Sequence, residues 1–229
     1  MRKFLAFLLF GITLTLTSWA ETHLILVRHG QTDWNAASLL QGHSDIPLNE
    51  TGKQQAQTLS EKIVKSVPKI DAIYSSDLGR AHSTALPTAE KYAIPIQKRS
   101  SLREINWGAI EGMPVDDPYV DDCFQKEDML PSTYPDRKER WDIAVAPNAE
   151  TRNQVLDRFQ KELFAIAQEH PDQTVLVFSH GGPIKFLLSD LFDVDEYLTK
   201  LENCAQVHIT IDVDAEQPII FHKIEKLEE

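Results

Sequence analysis

Residues 23–30 read HLILVRHG, a mostly apolar run that ends in Arg-His-Gly. A second apolar run, TVLVF at 174–178, is followed by SHGG. Short continuous apolar runs that end at polar residues and glycine are typical of strands buried on both faces of a sheet. The two runs therefore predict two interior strands, each with a histidine directly beyond its carboxyl end.

Strands and helices alternate along the rest of the chain. Apolar runs predict strands at 23–27, 70–74, 174–178, 207–213 and 219–224, and helical periodicity predicts helices at 50–66, 78–92, 151–169 and 182–191. Such alternation favours an α/β sandwich with a mostly parallel sheet. Ligands of such sheets bind beyond the carboxyl ends of the strands, where both histidines are expected to lie.

One segment, 112–150, interrupts this alternation. It holds five prolines, ten acidic residues and four basic ones, and it has no clear periodicity. Long insertions in compact domains are usually functional lids or disordered loops, so we predict a cap over the site with a weak helix near 119–129. A solvated surface excursion is the alternative.

Residues 1–20 have the layout of a secretory signal peptide. A positive start is followed by an uncharged, mostly apolar run at 4–17 and by the small residues Ser18 and Ala20. A retained membrane anchor is the alternative, but the run of ~14 residues is shorter than the ~20 that span a bilayer. We predict cleavage after Ala20, a periplasmic or secreted protein without a stable membrane anchor, and a single domain at 21–229.

The composition is that of a globular protein. Of the 229 residues, 42% are hydrophobic and 25% are charged. The formal net charge of −12 argues against binding to nucleic acid or to an anionic membrane surface, so any anion must be held by a local cluster of positive groups. Cys123 and Cys204 allow one disulfide after export, and two separate thiols are the favoured alternative.

Four side chains suited to phosphate chemistry are predicted to converge at the strand ends. Arg28 and His29 end the first strand, His180 follows the third, and Arg80 lies in the first turn of the helix after the second. Arginines offer bidentate donors to phosphate oxygens, and a histidine can act as a nucleophile. The chain has no HExxH pattern and no cysteine cluster, so we predict a site without metal or cofactor.

Five blocks of the sequence occur in an order that resembles the histidine phosphatase superfamily, also called the phosphoglycerate mutase-like family. They are RHGQTDWN at 28–35, QGHSDIPLNETGKQQA at 41–56, YSSDLGRAHST at 74–84, LREINWGAIEG at 102–112 and LVFSHGGP at 176–183. The resemblance implies a three-layer α/β/α fold, a phosphohistidine intermediate and no metal.

The resemblance also assigns roles to individual residues. His29 corresponds to the nucleophile, and Glu104 to the acid that protonates the leaving oxygen. The positions expected to bind the phosphorylated substrate are Arg28, Asn35, Arg80, His180 and Gly181, of which the two arginines and the histidine also serve catalysis. Glu111 is a rival acid, seven residues beyond Glu104, but its place before Gly112 favours a role in shaping a turn.

The same blocks narrow the activity. Glycolytic mutases usually have asparagine two residues beyond the second histidine, whereas this chain has Gly182, as hydrolytic relatives do. The resemblance therefore favours a phosphomonoester hydrolase acting on a small phosphorylated substrate, and the predicted signal peptide makes it an exported one. The net charge of −6 over 112–150 favours sugar or alcohol phosphates over bisphosphates. A phosphoglycerate mutase-like phosphotransferase and a non-catalytic phospho-ligand binding protein are the alternatives.

Overall fold

The structure is a computed structural model that describes residues 21–128, 141–193, 201–216 and 218–226. Its strands are β1 (Glu21–Arg28), β2 (Ala72–Ser76), β3 (Ile96–Arg99), β4 (Thr174–Ser179), β5 (Gln206–Asp212) and β6 (Ile219–Glu225). Its helices are α1 (Asp33–Ala36), α2 (Glu50–Ser66), α3 (Gly79–Tyr92), α4 (Pro118–Asp128), α5 (Arg152–Glu169) and α6 (Gly181–Phe192), with 3-10 turns at Ser100–Leu102 and Gly108–Ile110.

The six strands form one sheet in the order β3–β2–β4–β1–β5–β6. The first four of that order are parallel, whereas β5 and β6 add antiparallel strands beside β1. The predicted, mostly parallel sheet is therefore confirmed. The sequence did not predict β3, because this short edge strand reads IQKR and has no continuous apolar run.

Helices cover both faces of the sheet, which confirms the three-layer α/β/α architecture. Successive residues of β1 point to opposite faces, as the pleat of a strand requires. Leu26 packs in the cluster that contains Phe159 of α5, and Val27 packs in the cluster that contains Ile63 of α2. All four side chains are fully buried. The sheet is thus apolar on both faces, and polar groups collect at its edge.

The loop after β1 passes unusually close to the start of α2. A Cβ on Gly30 would lie 2.7 Å from the Gly52 carbonyl oxygen, and one on Gly52 would lie 2.0 Å from that of Gln31. The Asn49 side chain caps α2 by accepting the Gly52 N–H at 2.8 Å. Because neither glycine has a side chain, the start of α2 packs directly against the residues that follow β1.

The described parts of the segment at 112–150 pack together against the domain. Helix α4 occupies Pro118–Asp128, close to the predicted helix at 119–129, whose last residue lies outside the described residues. Val120 and Ala146 share a buried cluster with Ile110 of the main domain. Both described ends of the segment are therefore anchored next to the strand ends; residues 129–140 lie outside the description.

The two cysteines are both free and buried. Cys204 belongs to the cluster beneath α2 and α3, whereas Cys123 belongs to the small cluster around α4. The favoured expectation of two separate thiols therefore agrees with the structure.

The predicted signal peptide at 1–20 lies outside the described residues. Within the ranges that the structure describes, no helix is long and apolar enough to cross a membrane.

Candidate active site

The register of the two central strands places the two predicted histidines side by side. Arg28 of β1 pairs with Ser179 of β4, and the His29 N–H donates to the Ser179 carbonyl at 3.0 Å. His29 and His180, the next residue of each strand end, then lie edge to face with ring centroids 5.1 Å apart. A pairing of parallel strands thus brings together residues that are 151 positions apart in the sequence.

His29 is held in one tautomer. Its Nδ1 lies 2.7 Å from the Gly30 carbonyl oxygen, which can only accept, so Nδ1 carries the proton and Nε2 carries the lone pair. Burial and then the charges of Arg80 and Arg28 lower the pKa of His29 well below its usual value of 6.5. The imidazole is therefore neutral at physiological pH, with a free electron pair on Nε2.

Arg80 is fully buried at the start of α3. Its two Nη groups donate to the carbonyls of Gly42, at 2.7 Å, and Ser44, at 3.0 Å. Burial lowers the pKa of Arg80 to about 10, so the guanidinium remains charged at neutral pH. Its buried Nε has no acceptor in the described parts of the chain.

Arg28 and His180 resemble Arg80 in having buried nitrogens without a partner. Arg28 donates through Nη1 to the Leu201 carbonyl at 2.6 Å, but its Nε meets no acceptor among the described residues. Neither ring nitrogen of His180 has a hydrogen-bond partner there. Burial, followed by the charges of Arg80 and His29, lowers the pKa of His180 well below 6.5. Together with Arg80, these side chains offer donors beside His29 that suit the oxygens of an anion.

Glu104 reaches the same region from the loop after β3. Its Oε1 accepts the N–H of Ile105 at 2.9 Å and that of Gly182, in the first turn of α6, at 3.0 Å. A Cβ on Gly182 would lie only 2.3 Å from this Oε1. The glycine that the sequence analysis singled out is therefore the residue that gives the Glu104 carboxylate its space.

Glu111 and Asn35 occupy supporting positions. The Glu111 carboxylate accepts the backbone N–H groups of His43, at 3.2 Å, and Ser44, at 2.5 Å, so it orders the loop that holds Arg80. The sequence predicted that Glu111 shapes the turn into the segment at 112–150, whereas its carboxylate orders the backbone at 43–44. The Asn35 amide donates to the Gln41 side chain at 3.2 Å and faces the cleft described next.

A cleft of about 280 Å³ opens beside these residues. The predicted site residues on its surface are Arg28, His29, Asn35, Glu104 and Gly181. Arg80 and His180 are fully buried and are not part of the cleft lining; the His180 ring packs against that of His29, and the charge of Arg80 acts on His29. The structure therefore brings all seven predicted residues to one place in two layers. Within the described ranges, no group of three or more His, Cys, Asp or Glu side chains could hold a metal ion.

Two sets of supporting contacts were missed by the sequence analysis. Asn203 donates to the His29 carbonyl at 2.9 Å from a loop 174 residues away. Arg158, in the first half of α5, donates to the Glu104 carbonyl at 2.8 Å and pairs with Glu150. A lone asparagine in a loop and an arginine within a helix give no sequence signal, since only the tertiary fold brings them to the site.

Comparison with known proteins gives consistent results. A family model described as "Histidine phosphatase superfamily (branch 1)" matches residues 24–219. The chain is 34% identical to the "Uncharacterized phosphatase PhoE" of Bacillus subtilis, covering 82% of this chain and 88% of the relative. It is 32% identical to the "Phosphoserine phosphatase 1" of Hydrogenobacter thermophilus, over 75% and 77% of the two chains. A crystal structure of phosphoglycerate mutase from Bacillus anthracis superposes with a TM-score of 0.73 at 28% identity, covering 89% and 92%.

Proposed function

Because the chain belongs to the histidine phosphatase superfamily (branch 1), we propose that it hydrolyses phosphomonoesters through a phosphohistidine formed on His29. The observation that carries this proposal is the state of His29. Its imidazole is neutral, with Nδ1–H committed to the Gly30 carbonyl, so the Nε2 electron pair is available to attack phosphorus. Two buried arginines act on it electrostatically and would receive the anion that it attacks.

In the first proposed step, His29 Nε2 forms a bond to phosphorus while the ester P–O bond breaks. Glu104 gives its proton to the departing oxygen, which leaves as an alcohol. Arg28, Arg80 and His180 bind the equatorial oxygens, where charge is spread in the transition state of phosphoryl transfer. Their donors without a protein acceptor are the groups that would do so.

In the second proposed step, the ionised Glu104 takes a proton from a water molecule that attacks phosphorus. The N–P bond to His29 breaks, inorganic phosphate is released, and both side chains return to their starting protonation states. One carboxyl group can serve as acid and then as base because alcohol and water approach phosphorus from the same side. The lining of the cleft by both His29 and Glu104 supports this arrangement.

Phosphate release from p-nitrophenyl phosphate by the purified full chain tests this proposal. We expect turnover by the wild type and its loss in His29→Ala, with an unchanged circular dichroism spectrum. A folded wild type that binds phosphate esters without releasing phosphate would instead be a binding protein. Conversion of 3-phosphoglycerate to its isomer in the presence of a bisphosphate, faster than phosphate release, would identify a mutase.

We also propose that the protein is exported to the periplasm or secreted. The charge and apolar pattern of residues 1–20, with small residues at 18 and 20, supports export. N-terminal sequencing of the protein from fractionated cells tests the proposal. The expected result is a periplasmic or external protein that begins at Glu21; an uncleaved protein in the cytosolic fraction would refute it.

A further inference from the structure

The leaving-group side of the cleft is predominantly apolar. Nine apolar side chains among the described residues line the cleft, together with eight polar or charged ones: Arg28, His29, Asn35, Gln41, Glu104, Glu150, Arg152 and Lys185. Arg28, His29 and Glu104 line the same cleft as these apolar side chains. The group bonded to a phosphoryl group held at His29 therefore extends into the apolar part. The occupant is therefore the leaving group of the substrate.

The apolar lining comes in large part from the cap segment. Val115, Phe124, Ile143 and Val145 contribute four of the nine side chains. Phe124 packs edge to face against Trp107 of the main domain, with ring centroids 5.7 Å apart, and this pair forms one wall.

Phe186 of α6 also lines the cleft. Its ring lies 5.6 Å from the Arg152 guanidinium carbon, which places a flat cation over a flat apolar surface.

Several acidic residues of the cap point away from this cleft. Among the cap acids whose side chains the structure describes, Glu150 lines the cleft, and Arg158 neutralises it through an ion pair. Asp116, Asp121 and Asp122 are exposed to solvent and are absent from the lining. The net charge of the segment is therefore a poor guide to specificity, and the expectation of sugar phosphates that rested on it does not follow from the cleft.

On the basis of the proposed hydrolase activity, we infer that the preferred substrates are monophosphate esters of apolar alcohols or phenols. A cleft of about 280 Å³ exceeds the roughly 150 Å³ of a cavity that holds benzene, so it accommodates a phosphoryl group and a leaving group of about six carbons. Burying apolar surface in such a cleft stabilises the complex, whereas hydroxyl groups of a sugar that lie against the nine apolar side chains would lose hydrogen bonds to water.

The test is the rate of phosphate release from n-alkyl phosphates of increasing length, from ethyl to hexyl. The leaving alcohols in this series have nearly the same acidity, so chain length reports burial in the cleft alone. We expect kcat/KM to rise about fourfold per methylene, or roughly 200-fold from ethyl to hexyl phosphate. We also expect butyl phosphate to exceed glycerol 1-phosphate, which has similar size but two hydroxyl groups.

Variants of the cap test whether its apolar side chains cause the preference for longer alkyl chains. Phe124→Ala should flatten the dependence on chain length, whereas Tyr119→Ala, on the same helix but exposed and outside the lining, should leave it unchanged. If Phe124→Ala does not fold, Val115→Asp gives a second test, because Val115 lines the cleft but is half-exposed, so folding tolerates the change.

The possible outcomes separate this inference from the hydrolase proposal. A flat or falling chain-length series, with phosphate still released, would overturn the apolar preference and leave the hydrolase proposal standing. Arg152 and Lys185 also line the cleft, so a clear preference for 3-phosphoglycerate over hexyl phosphate would show that a carboxylate is recognised and would overturn the inference. Absence of hydrolysis for every ester would overturn both proposals.

Discussion

Arg158 and Glu150 form a two-bonded ion pair behind the candidate acid, with Nε to Oε1 at 2.8 Å and Nη2 to Oε2 at 2.9 Å. The same guanidinium donates to the carbonyls of Ser101, Arg103 and Glu104 at 2.8–2.9 Å. Burial alone would raise the pKa of Glu150, but the hydrogen bonds and charge of Arg158 lower it, so the carboxylate is ionised. Arg158 therefore holds the backbone around Glu104 in place.

This arrangement makes Arg158 a positioning residue for proton transfer. We expect Arg158→Lys to lower kcat/KM for butyl phosphate, which reports the first step alone, by roughly 10- to 100-fold, because lysine cannot satisfy the carboxylate and three carbonyls together and Glu104 shifts. The loss for p-nitrophenyl phosphate should be much smaller, since p-nitrophenolate departs without a proton. Steady-state kinetics with both esters check this expectation. Equal losses on the two would indicate general destabilisation instead.

Gly182 leaves room for Glu104, and a methyl group there should displace the carboxylate. Gly182→Ala places a Cβ 2.3 Å from Glu104 Oε1, whereas Gly181→Ala places one 3.4 Å from the nearest atom, Arg28 Nε, which is a normal contact. We expect the Gly182 variant to lose far more kcat on alkyl phosphates than its neighbour. Kinetics of the two folded variants measure this difference, and losses of similar size would argue against steric control of Glu104.

The buried neutral histidines should make stability depend on pH. Because His29 and His180 have lowered pKa values in the folded protein, the unfolded chain binds more protons below pH 6.5. The free energy of unfolding should therefore fall as pH drops below 6.5, by up to about 1.4 kcal/mol per pH unit for each histidine.

Urea unfolding of the wild type and of His180→Asn between pH 7.5 and 5 measures this effect. The variant should lose stability less steeply, and the difference between the curves removes contributions from the other histidines. Parallel curves would mean that His180 takes up a proton as readily in the folded chain as in the unfolded one.

Activity should not require a divalent metal ion. Arg28 and Arg80 supply the positive charge that a metal would otherwise bring to the phosphoryl oxygens. We expect dialysis against EDTA to leave the kcat/KM for p-nitrophenyl phosphate unchanged. Loss of activity that a defined metal restores would show that the two arginines are insufficient.

The sequence predicted the strand ends well because their signal is local. The apolar runs before His29 and His180 and the glycines after them are contiguous, so the strands, their order in the chain and the converging histidines could be recognised. The same pattern brought Arg80 to that edge, and the family resemblance added Glu104. These residues lie in short sequence blocks whose pattern can be recognised without knowledge of the fold.

The remaining features depend on contacts that no local pattern encodes. Asn203 contacts the His29 carbonyl and Arg158 the Glu104 carbonyl through hydrogen bonds made across long sequence separations. The substrate preference predicted from the net charge of the segment at 112–150 failed for a different reason. That charge includes acidic residues, such as Asp121, that face solvent and not the cleft. Only the fold separates the exposed Asp121 from Phe124, three positions on, which lines the cleft.

Covalent phosphorylation of His29 is the central claim, and trapping the intermediate tests it most directly. Full-length wild type and His29→Ala are mixed with a ³²P-labelled phosphomonoester, quenched in alkali within milliseconds, and mapped by mass spectrometry under conditions that preserve phosphohistidine. We predict a label that is stable in alkali, labile in acid and located on His29, with none in the variant. Turnover without any label, or a label on another residue, would contradict the account.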